Sequence, residues 1–227
     1  MLPYFIFNGE NSSDNNIIVN KLPDIERPKA RVEKLTVSGR NGYLTQSDGT
    51  YEGVIKTVEC TLNNGNIEHI CSWLNGTGEA IFSNEPDKKY KAVIINAIPF
   101  NEILSKLHKF VVVFDCQPFK YKVDEPLITV ISSNTTVINE GTFQSELVIK
   151  IYGSGDLSIT INSETVSIKN VNEYVTVDSV LKDCYKDDVL KNFDMTGDFP
   201  VFNCGDNVIS FSGSVMKIEI QVNAVWI

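Results

Sequence analysis

Cations are scarce in this chain, and so are the residues that most often do chemistry. Twenty Lys and Arg face 29 Asp and Glu over 227 residues, a formal charge of −9. Phosphate binding needs a net supply of positive charge, so the protein does not wrap nucleic acid through its overall field. Histidine occurs twice, at His69 and His108, in no HExxH or other metal-ligand spacing. The five cysteines (Cys60, Cys71, Cys116, Cys184, Cys204) are odd in number, widely spaced and without a CxxC pair. That pattern argues against a disulfide framework or zinc ribbon and for buried free thiols. The longest uninterrupted apolar run, Phe110–Phe114, is far short of the roughly 20 residues of a membrane helix. The opening Met1-Leu2-Pro3-Tyr4-Phe5-Ile6-Phe7 has neither the basic region nor the long apolar stretch of a secretory signal, and the expected site of synthesis is a reducing cytoplasm.

What is abundant is β-forming. Twelve Phe, eight Tyr and many Val and Ile exclude intrinsic disorder. Short apolar or alternating runs recur, among them Val32–Val37, Val54–Leu62, Phe110–Cys116, Leu147–Tyr152, Leu157–Ile161 and Lys217–Val225. Turn pairs such as Asn41-Gly42, Asp48-Gly49 and Asn64-Gly65 separate them, which predicts a mostly β protein of sandwich-like domains. Ile67, Ile70, Cys71 and Leu74 alone follow helical spacing, with Asn64 as the expected N-cap and Asn75-Gly76 as the stop. Glu102–Lys109 reads as a loop, and Gly153-Ser154-Gly155-Asp156 as a tight hairpin rather than a phosphate cradle, because no helix follows it. Two prolines and four charges in Gln117–Pro126 suit an inter-domain crossover, predicting domains at 1–122 and 123–227.

No local signature of catalysis is present. Asp178, Asp183, Asp187, Asp188, Asp194, Asp198 and Asp206 cluster in the second half, mixed with Lys182, Lys186 and Lys191 as on a solvated loop face. Asp183, Asp187 or Asp188 in a paired-carboxylate hydrolase, and Trp73 or Trp226 as a sugar platform, stay open as alternatives. One asymmetry remains: Lys21, Arg27, Lys29, Arg31, Lys34 and Arg40 outnumber Asp24, Glu26 and Glu33, and this segment holds all three arginines. Arginine forks pair carboxylates while their stems pack on apolar surface, so the segment is a candidate interface or a charge-protected strand edge.

The order of motifs resembles a known family. Arg31-Val32-Glu33-Lys34-Leu35-Thr36-Val37-Ser38-Gly39-Arg40-Asn41-Gly42-Tyr43-Leu44 is followed by Asp48-Gly49-Thr50-Tyr51, then Ile70-Cys71-Ser72-Trp73-Leu74-Asn75-Gly76 and Phe110–Tyr121. Asn139-Glu140-Gly141-Thr142, Val175–Ser179, Gly197-Asp198-Phe199-Pro200 and Gly205–Ile209 continue in the same order to Trp226. Across residues 30–227 this is similar to the distal tail proteins (Dit) of long-tailed bacteriophages and related prophage particles.

The resemblance implies a two-domain structural hub at the virion's tail tip, without catalytic residues, metal or cofactor. Its N-terminal domains would form a homohexameric ring, with a hairpin extension at Val37–Val54. The ring would join the tail tube protein to a tail-associated baseplate protein, near the tape-measure and receptor-binding proteins. DNA would pass through its channel without specific binding. The C-terminal domain would be a galectin-like sandwich, though it holds no His or Arg for a galectin-type sugar site. The expected ring interface includes Arg27, Arg31, Arg40, Asn41, Gly42 and Tyr43. A free-standing carbohydrate-binding β-sandwich is the alternative.

Overall fold

A computed structural model describes residues 2–104 and 106–227. The chain divides into two compact units, Met1–Val123 with Ile227, and Asp124–Trp226. The first unit contains β1 (Phe5–Phe7), β2 (Glu10–Asn11), β3 (Ile17–Lys21), β4 (Ala30–Leu35), β5 (Leu44–Tyr51) and β6 (Val54–Asn63). After these come α1 (Ile67–Trp73), β7 (Thr77–Phe82), β8 (Lys88–Ile94), β9 (Asn101–Leu104) and β10 (Leu107–Lys122). Its main sheet is antiparallel, in the order β2-β1-β7-β8-β10-β6-β3.

Strict alternation builds this sheet. Val54, Lys56, Val58, Cys60 and Leu62 of β6 are buried while the residues between them face outward, and Phe110, Val112, Phe114 and Cys116 do the same on β10. The inward side chains meet an aromatic cluster in which the Phe114 ring lies 5.8 Å from Phe5, 5.7 Å from Phe7 and 5.5 Å from Phe82. Helix α1 closes this core through Ile70 and Trp73. The Trp73 ring stacks on Phe5, and its indole N–H donates to the Phe7 carbonyl at 2.9 Å. Asn66, not Asn64, caps the helix: its side chain accepts from the His69 amide at 3.2 Å, while Asn64 sits in a left-handed turn. Of residues 102–109, expected as a loop, 102–104 end β9 and 107–109 begin β10, and the two strands pair; residue 105 lies outside the described residues.

Burial sorts the cysteines into two sets. Cys60, Cys116 and Cys184 are buried, but Cys71 and Cys204 are exposed, against the expectation that all are buried. Desolvation pushes the thiols of Cys60 and Cys116 up to about 12 and that of Cys184 to about 11, which keeps them protonated and unreactive. A thiol reagent at pH 8 should therefore label Cys71 and Cys204 in the native protein, and all five cysteines only after unfolding. Mass spectrometry of the labelled peptides checks this; native labelling of Cys60 or Cys116 would contradict the packing.

The second unit adds β11 (Ile128–Val130), β12 (Thr135–Asn139), β13 (Ser145–Glu146), β14 (Val148–Ile161), β15 (Glu164–Val171) and β16 (Tyr174–Asp178). It continues with β17 (Asp183–Lys186), β18 (Val189–Leu190), β19 (Met195–Thr196), β20 (Val201–Phe202) and β21 (Gly205–Gln221). The residues expected to form a tight hairpin at 153–156 lie inside β14. The strand continues through them, pairing with β16 before the irregularity and with β15 after it, and with β21 on both sides of it. The backbones of β14 and β21 approach closely at this bend. A Cβ on Gly153 would meet the Ser214 carbonyl oxygen at 2.4 Å, and one on Gly213, at φ +90°, the Asp156 oxygen at 2.5 Å. Two glycines thus let one sheet curl over a shared core containing Ile149, Ile151, Ile159, Ile161, Ile209, Ile218 and Ile220.

Candidate functional site

One element of the first unit buries nothing. Among the described residues, strands β4 and β5 pair only with each other, as a two-stranded sheet separate from the main one. Every residue from 31 to 50 is exposed. The hairpin starts earlier than the expected Val37–Val54, because Val54 opens β6 and the strand into the arm begins at Ala30. Its turn spans 36–43. Asp48-Gly49, expected as a second bend, is instead a bulge within β5, opposite the step from Ala30 to Val32. There the Asp48 carboxylate accepts from the Thr50 amide at 2.9 Å and the Thr50 hydroxyl at 2.7 Å. Those bonds, with Arg31 nearby, hold its carboxyl below the usual range.

The arm carries apolar side chains on both faces. Leu35 stands directly opposite Leu44, and Val32 lies opposite Ser47 on the other face, beside Lys34. The Lys34 ammonium sits 4.6 Å from the Tyr43 ring centroid. Val32, Leu35, Val37, Tyr43 and Leu44 are between 39% and 53% exposed. An isolated two-stranded hairpin is marginal in water, and one with exposed leucine, valine and tyrosine has more to gain from a partner than from solvent.

The base of the arm is pinned. Lys56 points inward from β6 with its side chain only 2% exposed, donating to the Asp24 carbonyl and lying 3.6 Å from the Glu26 carboxylate. Asn84 donates to the Pro23 carbonyl at 2.9 Å. At the arm's foot, Lys29 pairs with Glu52 at 3.2 Å, and the Tyr51 ring packs edge-on against Phe119. The segment entering the hairpin is thus fixed while the hairpin itself projects.

Of the six residues expected at an interface, Arg31 lies on β4, and Arg40, Asn41, Gly42 and Tyr43 lie in the turn. Arg27 lies in the segment before the arm. All are exposed. Val32, Leu35, Val37 and Leu44 are exposed beside them, although nothing in the sequence sets them apart from the chain's many buried apolar residues.

The other candidates are engaged elsewhere. His69 contacts Glu10 at 2.8 Å, and Asp183 accepts from Asn192 at 2.9 Å. Asp187 accepts the Tyr174 hydroxyl, which raises that phenol to about 12. Among the described residues, no group of three or more His, Cys, Asp and Glu is placed to hold a metal ion. Trp73 is spent on the core, and Trp226 packs partly buried against the second one. The paired tyrosines of the second unit, Tyr152 and Tyr174, have ring centroids 5.9 Å apart. Lys150 lies 4.0 Å over one ring and Lys217 4.3 Å over the other, so ammonium groups cover the faces on which a sugar would stack. The exposed apolar side chains of the second unit include Leu181, Leu190 and the fully exposed Phe193.

Residues 8–116 match the family described as a phage tail protein RIFT-related domain. The whole fold is similar to the crystal structure of the Dit protein of phage SPP1, described as a paradigm of the hub adsorption apparatus in phages infecting Gram-positive hosts. That match has a TM-score of 0.75 at 14% sequence identity and covers 97% of this chain and 99% of the other. No curated protein matches the chain in sequence. The resemblance is to structural proteins of phage tails and the fold is Dit-like.

Proposed function

We propose, for a chain whose first unit carries a phage tail RIFT-related domain and whose fold is that of a distal tail protein, that it is the hub of a phage or prophage tail tip. It acts by assembly, not catalysis. Six copies close into a ring through their first units, joining the tail tube to the adhesion apparatus. The ring leaves a central passage for DNA, which an acidic protein with a charge of −9 repels rather than retains. The observation that carries this reading is the arm: residues 31–50 project with no core of their own, as an element completed by a neighbour does. The second unit is a galectin-like scaffold whose exposed Leu181, Leu190 and Phe193 offer a surface to a tail-tip partner. Sugar binding as the main activity is disfavoured by the covered faces of Tyr152 and Tyr174.

Arginine at the arm gives the reading a direct test. Arg31→Glu with Arg40→Glu should raise the concentration needed for half-assembly by about tenfold or more, since each reversal replaces an attraction by a repulsion. Sedimentation velocity at several concentrations reads the shift. An unchanged midpoint would show that the arginines lie outside the interface.

A further inference from the structure

Four Asn-Gly pairs occur in the chain: Asn8-Gly9, Asn41-Gly42, Asn64-Gly65 and Asn75-Gly76. Each has the chemistry to rearrange, because glycine has no Cβ to keep its backbone nitrogen away from the preceding side-chain amide. The fold holds the four very differently. Asn8 stands in the left-handed region at φ 51°, and its side-chain oxygen accepts from the Glu79 amide at 3.0 Å. That oxygen also lies over Gly78, where an added Cβ would meet it at 1.7 Å. Asn64 is left-handed too, at φ 53°, and its amide donates to the Lys106 carbonyl at 2.8 Å. A Cβ on the following Gly65 would meet the buried Leu62 side chain at 2.4 Å. At the third pair, the Asn75 amide donates to the Trp73 carbonyl and the Gly76 carbonyl accepts from Ile94, which ties it to α1 and β8.

Asn41-Gly42 has none of these restraints. It sits in the exposed turn of the arm, and Asn41 is not among the left-handed asparagines. A Cβ on Gly42 would meet nothing within 4 Å. Among the described residues, neither the Asn41 side chain nor the Gly42 amide has a hydrogen-bond partner. We infer that Asn41 is a modification site, converting to aspartate and isoaspartate ahead of the other three. The Gly42 nitrogen attacks Asn41 Cγ and gives up its proton; the N–Cγ bond forms, the Cγ–Nδ2 bond breaks and ammonia departs. Water then opens the resulting succinimide at either carbonyl. The change is redox-neutral and needs no enzyme. A neutral amide becomes a carboxylate beside Arg40, so the basic tip of the arm loses charge with age. The site itself stands on local geometry, whereas its effect on assembly rests on the ring reading above.

Peptide mapping by mass spectrometry tests the site on the full chain, incubated dilute at mildly alkaline pH and sampled over time. Conversion at Asn41 should run about tenfold or more ahead of Asn8 and Asn64, whose side chain or backbone is held away from the attacking geometry. It should also lead Asn75, with isoaspartate detected by its methyltransferase. In urea the four rates should converge, because the fold and not the dipeptide sets the order. Similar rates in the native protein, or a lead by any other pair, overturn the inference. Asn41→Asp carries the charge of one product from the start, and should raise the half-assembly concentration about two- to fivefold, as an exposed charge does. An unchanged midpoint in that variant overturns the link to assembly. A wild-type chain that never assembles, alone or with tail-tip partners, defeats the ring reading, and the peptide map still decides the site.

Discussion

Replacing residues 31–50 with a short Gly-Ser linker should give a folded protein that no longer assembles. Ala30 and Tyr51 are Cα partners in the hairpin register, so the ends to be joined already lie side by side and a short linker closes without strain. None of the deleted residues is buried, so the core around Phe114 should lose nothing, and stability should change by no more than about 0.5 kcal/mol. The effect on assembly should be far larger. The deletion removes Val32, Leu35, Val37, Tyr43 and Leu44 together, and a cluster of apolar contacts of this kind dominates an interface. The half-assembly concentration is expected to rise by about 100-fold or more. A shortened chain that assembles as before would remove the arm from the account. One that unfolds would show that the arm supports its own domain.

Phe114→Ala makes the opposite cut, through the core instead of the interface. Phe114 is fully buried and contacts the rings of Phe5, Phe7 and Phe82, so truncation opens a cavity that three rigid aromatic neighbours cannot fill. The expected loss is about 3–5 kcal/mol, enough to lower the first unit's unfolding midpoint by roughly 10–20 °C. Trp73, stacked on Phe5 within the same core, should report the transition by fluorescence. Phe114→Leu should cost much less, because most of the volume is kept. Loss of stability in Phe114→Ala with assembly retained at low temperature would confirm that core and arm are separate functions of one unit. A loss under about 1 kcal/mol would contradict the packing described here.

Much of this architecture could be read from residue order, and the failures share a cause. The alternation in β6 and β10 marks its buried face because one side of the sheet is dry. In β4 the apolar Val32 and Leu35 fall on opposite faces of the pleat, and both faces are wet. Period two reports the pleat of a strand and not what covers it, so exposure of the arm could only be seen in three dimensions. The residues at 153–156 failed similarly: a glycine pair between two apolar runs suits a hairpin and a bulge equally well. Only the pairing of β14 with β21 on both sides of the irregularity decides for the bulge. At α1, two asparagines stood near the helix start, and the amide that needed a partner belonged to His69, three residues after Asn66 rather than Asn64. Arg31 and Arg40 on the arm and Arg27 just before it were legible because they are the only three arginines in the chain, whereas the arm's apolar residues were hidden among many like them.

The central claim is closed self-assembly, and solution mass tests it most directly. Light scattering on a sizing column, run over a range of concentrations with negative-stain images of the peak, should show mass rising from 25.3 kDa to a plateau at six times that value, with an open centre in the images. If the chain needs a tail-tip partner to close, the plateau should appear when that partner is added and vanish with the arm-deleted variant. A mass that stays at 25.3 kDa under both conditions, or a two-fold dimer that grows no further, would contradict the account.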